Sequence, residues 1–105
     1  MKVEILYLAG CPNHAPAVER VREVLAQEAT PAEVVEIEIE DAAAAQRARF
    51  PGSPTIRIDG QDVEHAARLA HGFGFMCRAY IDGGRRVGVP SRELLLAAVR
   101  EARER

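Results

Sequence analysis

The first half of the chain changes its hydrophobic periodicity twice. Val3–Leu8 is an almost continuous apolar run, which is typical of a buried strand. Residues 12–28 then place their apolar side chains at helical spacing. Residues 33–40 alternate, with Val35, Ile37 and Ile39 on one face and Glu36, Glu38 and Glu40 on the other, as in a half-exposed edge strand. This half therefore predicts a strand, a helix and a second strand.

The second half predicts two more helices and two more strands. Asp41 and Ser91 are suited to be N-caps, the first of a short alanine-rich helix and the second of the last helix. Strands are predicted at Ile56–Ile58 and at Cys77–Ile81, each followed by a turn that contains Asp-Gly. Residues 61–76 are the least decided stretch, although their apolar spacing permits a short helix.

The order of these elements is βαβαββα, which predicts one α/β domain over residues 1–105. The first two strands flank a helix, so we expect them to be parallel with a right-handed crossover. The last two strands are expected to be antiparallel. The predicted architecture is a four-stranded mixed sheet with helices on both faces.

Composition bears on the cellular location of the protein and on the partners it is expected to bind. Apolar residues make up 48% and charged residues 29% of the chain, and the net charge of −2 does not suggest a nucleic-acid partner. We expect no signal peptide, no membrane association and a cytoplasmic location. In a reducing compartment a cysteine is more often catalytic or metal-binding than disulfide-bonded, and the chain has two. The sequence leaves the oligomeric state open.

The candidate chemistry begins at Cys11, which follows the first strand and Gly10. This places the thiol at or just before the first turn of a helix, where free backbone N–H groups and the helix dipole favour a reactive thiolate. Pro12 suits the first helical position. His14 lies three residues after Cys11, so its ring is expected to stabilise the thiolate, take its proton or share a metal. The alternative is a small apolar Cys11 in a tight turn that His14 merely closes.

Two motifs give the chain a resemblance to a known family. The element order resembles the thioredoxin-like fold in its short, glutaredoxin-like form. Cys11-Pro12-Asn13-His14 stands where that family has Cys-x-x-Cys, and Ser53-Pro54-Thr55 stands where it has a cis-proline before the third strand. The resemblance implies catalytic roles for Cys11 and His14, and substrate-binding roles for Pro12, Asn13, Ser53, Pro54 and Thr55.

The same fold predicts how the two motifs meet. The third strand would run antiparallel to the first, so Pro54 would face Cys11. The backbone polar groups of Ser53 would then be free to pair with an extended thiol substrate, such as a peptide or glutathione.

The chain departs from the family pattern because His14 replaces the second cysteine. We therefore expect monothiol chemistry, in which one cysteine attacks a disulfide or a glutathione mixed disulfide and an external thiol releases it. Glutathione is the candidate co-substrate, and no cofactor or resident metal is expected. Two alternatives remain open: a soft-metal (Zn, Cu or Hg) binding or carrier module using Cys11 and His14, and a non-redox interaction scaffold.

Cys77 is expected to be a buried packing residue. At the start of the fourth strand it would lie at the sheet end away from Cys11, too far for a disulfide. Gly83 and Gly84, at the other end of that strand, would lie close to the site instead. The spacing of His65, His71 and Cys77 matches no common zinc motif.

Overall fold

The elements alternate between strand and helix up to the third strand, as the periodicity predicts. A computed structural model describes residues 1–69 and 72–105. Its strands are β1 (Lys2–Tyr7), β2 (Glu33–Glu38), β3 (Thr55–Ile58), β4 (Gln61–Asp62), β5 (Tyr80–Asp82) and β6 (Arg85–Val87). Its helices are α1 (His14–Gln27), α2 (Ala42–Arg47) and α3 (Arg92–Glu104), with a short 3-10 helix at His65–Leu69.

The main sheet has four strands in the order β2-β1-β3-β4. β1 and β2 are parallel, and Ile5 lies opposite Glu36. β3 runs antiparallel to β1, with Thr55 opposite Leu6, and β4 runs antiparallel to β3. The sheet is therefore mixed and four-stranded, as predicted, and the start of β3 lies beside the end of β1.

Alternate side chains of β1 enter two different hydrophobic clusters. Val3 and Ile5 pack with buried residues of α1 and α3. Leu6 packs with Phe50 and with Ala45 of α2. Because successive side chains of a strand point to opposite faces of the sheet, α1 and α3 cover one face and α2 covers the other.

The predicted fourth strand is wrong in its position. The fourth place in the sheet belongs to β4, whereas β5 pairs with β6 in a separate hairpin. The physical reason is the turn at Asp59 and Gly60, which both have positive φ. Such a two-residue turn folds the next residues straight back onto β3, so Gln61 is the first residue available for pairing.

Both predicted N-caps are confirmed. The Asp41 Oδ1 accepts a hydrogen bond of 2.7 Å from the N–H of Ala44. The Ser91 Oγ accepts one of 3.1 Å from the N–H of Leu94. Each bond satisfies one of the backbone donors left free at a helix start.

The 3-10 helix agrees with the short helix that residues 61–76 permit. His71, one of the three residues considered for a zinc motif, lies outside the described ranges. None of the helices within residues 1–69 and 72–105 is both long and apolar enough to cross a membrane.

Candidate functional site

Cys11 lies in the loop between β1 and α1 and is half-buried. Its N–H donates a 3.1 Å hydrogen bond to the carbonyl of Leu8, and its own carbonyl accepts one of 3.2 Å from the N–H of His14. Gly10 takes a φ of +78° in this turn, a conformation that suits glycine. The sulfur is therefore held just outside the helix and is not sealed in the core.

The helix begins two residues later than the sequence predicts. α1 starts at His14 with Asn13 as its N-cap, and Pro12 is exposed in the preceding turn. Pro12 is thus not the first helical residue. The first bond of the helix ladder runs from the N–H of Ala17 to the carbonyl of Asn13, so Cys11 precedes the N-cap by two positions.

The His14 side chain contacts β1 and β2. Its ring stacks on the ring of Tyr7, with centroids 3.6 Å apart and planes 6° from parallel. Its Nε2 lies 2.7 Å from Oε1 of Glu36. Across residues 1–69 and 72–105, no hydrogen bond joins the His14 ring to the Cys11 sulfur. The sequence did not single out Glu36, because it is one of several glutamates that alternate along β2.

Leu8 connects the two motifs that the sequence singled out. Its carbonyl accepts from the N–H of Cys11, and its N–H donates a 3.0 Å hydrogen bond to the Oγ of Ser53. The Ser53–Pro54 peptide bond is cis, as the resemblance implies. We call this place, where the Cys11 turn and Ser53 meet at Leu8, the Leu8 junction. The structure thus brings the two motifs to one end of the sheet.

Asn13 lies against the loop that follows β6. A Cβ atom placed on Gly88 would be 2.2 Å from the Nδ2 of Asn13, so a side chain at position 88 would displace this amide. Gly83 and Gly84, which the sequence placed near the site, form the β5–β6 turn, and a Cβ on either would meet nothing within 4 Å. Gly88 is therefore in contact with the site through Asn13.

The main chain of Ser53 is not free for a substrate, contrary to expectation. Its N–H donates a 2.9 Å hydrogen bond to the carbonyl of Met76, and its carbonyl accepts one of 3.0 Å from the N–H of Arg78. Both groups are therefore occupied by the chain itself. We call residues 76–80 the Cys77 segment.

Cys77 lies directly opposite Ser53 in this parallel pairing, and it is exposed. The prediction of a buried Cys77 at the far end of the sheet is therefore wrong. It assumed that residues 77–81 occupy the fourth position of the sheet, whereas they begin beside Gly52 and Ser53. A Cβ on Gly52 would lie 2.9 Å from the carbonyl oxygen of Cys77, so this close approach requires glycine.

Arg78 anchors the Cys77 segment to the loop and strands beside it. Its guanidinium donates two hydrogen bonds to Asp62, of 2.7 and 2.9 Å, and one of 3.2 Å to the hydroxyl of Thr55. The hydroxyl of Thr55, which was a predicted substrate-binding residue, also donates to the carbonyl of Gly52 at 2.6 Å and is fully buried. Thr55 is therefore part of the support of the site.

Tyr80 is a second anchor of the same segment. Its hydroxyl donates a 2.6 Å hydrogen bond to the carbonyl of Pro54. Burial raises the pKa of the Tyr80 phenol far above its usual value, so the hydroxyl stays protonated and remains a donor. Neither anchor could be predicted from the sequence, because both depend on contacts between residues far apart in the chain.

No group of three or more histidine, cysteine, aspartate or glutamate side chains able to hold a metal is present in residues 1–69 and 72–105. Near the site, Glu36 is paired with His14, and Asp62 is paired with Arg78. Comparison of the chain with family models, with curated proteins and with solved structures found no match.

Proposed function

We propose that this domain is a thioredoxin-like thiol–disulfide oxidoreductase in which Cys11 is the nucleophile. The observation that carries the proposal is the Leu8 junction, where one residue bonds both the Cys11 turn and Ser53. Such a junction sets a half-buried thiol at the end of the sheet, next to the cis-proline loop. A sulfur in this position is accessible to small disulfides.

The reaction follows from thiolate chemistry. The Cys11 thiolate attacks one sulfur of a disulfide, the substrate S–S bond breaks, and one substrate thiolate leaves with the bonding electron pair. The protein then carries a mixed disulfide on Cys11. In the monothiol version a thiol such as glutathione attacks this bond, takes the second substrate half as a new disulfide, and restores the Cys11 thiolate.

His14 acts here as a positioning residue. Its backbone N–H holds the carbonyl of Cys11, while its ring is fixed between Tyr7 and Glu36. The start of α1, and with it the Cys11 turn, is thereby tied to β1 and β2. The soft-metal alternative has less support, because Glu36 already occupies one of the two ring nitrogens of His14, and the ring is stacked on Tyr7.

Reaction with glutathione disulfide tests the proposal. Wild-type protein and Cys77→Ser are expected to form an adduct at Cys11, and Cys11→Ser is expected to form none there. Acid quenching followed by mass spectrometry identifies the modified cysteine. The same Cys77→Ser protein unfolded in urea is the control for intrinsic thiol reactivity, and we expect it to react about tenfold more slowly near neutral pH.

Equal rates for the folded and unfolded protein would contradict the proposal. In that case the fold does nothing for the thiol, and Cys11 is a turn residue only.

A further inference from the structure

The Cys77 segment occupies the main-chain groups that an extended substrate would use. Both the N–H and the carbonyl of Ser53 are bonded to it, one to Met76 and the other to Arg78. The residue between those two is Cys77, and its side chain is exposed. The chain thus places an exposed cysteine of its own directly opposite Ser53.

This placement is fixed by buried contacts. Arg78 is 5% exposed at its side chain and is paired with Asp62, which is 6% exposed. Tyr80 is fully buried and bonded to Pro54. Because alternate residues of an extended segment point to opposite sides, the inward anchoring of Arg78 and Tyr80 leaves Cys77 facing outward.

The distance between the two cysteines follows from the spacing of the paired segments. Adjacent paired strands lie about 4.8 Å apart, so Cys77 is about one spacing from Ser53 and two from Leu8. Cys11 is bonded to Leu8. A disulfide requires Cα atoms within roughly 7 Å, so the Cys11 turn must move toward Ser53 by a few ångström.

We propose that Cys77 is the resolving thiol for Cys11, an inference that rests on the proposed function of Cys11. After the first substrate thiolate has left, the Cys77 thiolate attacks the Cys11 sulfur of the mixed disulfide. The second substrate thiolate leaves, and a Cys11–Cys77 disulfide forms. The substrate disulfide gains two electrons and the protein dithiol loses two. A dithiol, or two molecules of glutathione, then reduces the protein disulfide and completes the cycle.

The test follows one turnover with glutathione disulfide. Wild-type protein is expected to release two molecules of glutathione and to end with Cys11 linked to Cys77. Cys77→Ser is expected to release one and to stop at the mixed disulfide, whose lifetime should be about tenfold longer than in wild type or more. Peptide mapping after acid quenching shows which sulfurs are linked, and thiol titration counts the released glutathione.

A control variant tests whether the thiol must be at position 77 or only somewhere on the same segment. In Cys77→Ser combined with Ala79→Cys, the thiol moves two residues along the same segment, about 7 Å away. The mixed disulfide on Cys11 should then persist as in Cys77→Ser alone. Met76→Ala, which leaves both cysteines and the backbone in place, should resolve as wild type does.

The outcomes distinguish the two proposals. If wild type holds the mixed disulfide as long as Cys77→Ser does, Cys11 is a monothiol nucleophile and the resolving role of Cys77 is wrong. If neither protein forms an adduct at Cys11, the proposed function fails and the resolving role fails with it.

Discussion

At the scale of single residues, Arg78 is a buried cation whose charge is stabilised by hydrogen bonds to neighbouring side chains. Burial alone would lower the pKa of its guanidinium, but the hydrogen bonds to Asp62 and Glu64 and the charge of neighbouring groups leave the pKa above its usual value. The guanidinium also lies over the ring of Tyr80, 4.2 Å from its centroid. Arg78 is therefore charged, paired and enclosed.

Arg78→Met should destabilise the protein strongly. The substitution leaves the Asp62 carboxylate buried without its cation, which typically costs about 3–5 kcal/mol of unfolding free energy. Urea denaturation measures the loss. Arg78→Met combined with Asp62→Asn should recover part of it, since the amide is neutral and can still accept the N–H of Glu64. A loss below about 1 kcal/mol in the single variant would show that the pair does not hold the segment.

At this scale the sequence predicts Cys11, His14 and Ser53 as site residues but not their partners. A reactive cysteine has a local signature, namely a strand, a glycine and a helix start in succession. The contacts of Arg78 with Asp62 and of His14 with Glu36 have no such signature, because residues 16 and 22 positions apart form them. Only the folded chain brings those residues together.

At the scale of elements, the long periodic segments are predictable and the short ones are not. β1, α1, β2 and α3 each present a clear hydrophobic period, and the structure has them near the predicted positions. β4 has two residues, Gln61 and Asp62, which is too few to show any period. The turn at Asp59 and Gly60 determines which residues pair with β3. As a result β4 joins the main sheet, and β5 pairs with β6.

Ser91→Ala should weaken the last helix by a predictable amount. The hydroxyl of Ser91 satisfies the N–H of Leu94 at the start of α3, and loss of such a cap costs about 1 kcal/mol. Ser91→Asp is the matched control, because its carboxylate can accept the same bond and also favours the positive end of the helix dipole. Equal unfolding free energies for wild type and Ser91→Ala would show that the cap does not stabilise α3.

At the scale of the whole molecule, the end of α1 and the last turns of α3 are tied by ionic contacts. The carboxylate of Glu28 accepts hydrogen bonds from Arg100 and from Arg103, and Arg103 also donates to the Thr30 hydroxyl. The hydrogen bond from Arg100 is the largest of the effects that lower the pKa of Glu28 below its usual value. Residues far apart in the chain are thereby joined on the side of the sheet that α1 and α3 cover.

Glu28→Gln should therefore destabilise the protein in a pH-dependent way. A lowered folded-state pKa means that the carboxylate stabilises the fold at pH values above its unfolded pKa, and that this stabilisation is lost as the pH falls through the folded-state pKa. The urea midpoints of wild type and variant should differ at about pH 7 and converge at about pH 3. Glu19→Gln, an exposed change on the same helix, should show no such convergence.

The meeting of the two motifs at one end of the sheet was implied by the resemblance to the thioredoxin-like fold, in which the third strand runs antiparallel to the first. An antiparallel third strand must begin where the first strand ends, whatever the side chains are. The place of Cys77 could not be predicted in this way. It depends on the pairing of residues 76–78 with Ser53, which lies outside the regular strands and carries no periodic signal.

Because residues 76–78 occupy the main-chain groups of Ser53, they compete with any extended ligand for those groups. A peptide that adds itself as a strand beside Ser53 must first displace residues 76–78, which are tethered close by and so are present at high effective concentration. The apparent affinity of the peptide equals its intrinsic affinity multiplied by the fraction of molecules in which residues 76–78 are displaced. On the proposed function, a small disulfide would need only the sulfur of Cys11 and would avoid this penalty, so the fold would favour low-molecular-weight disulfides over unfolded chains.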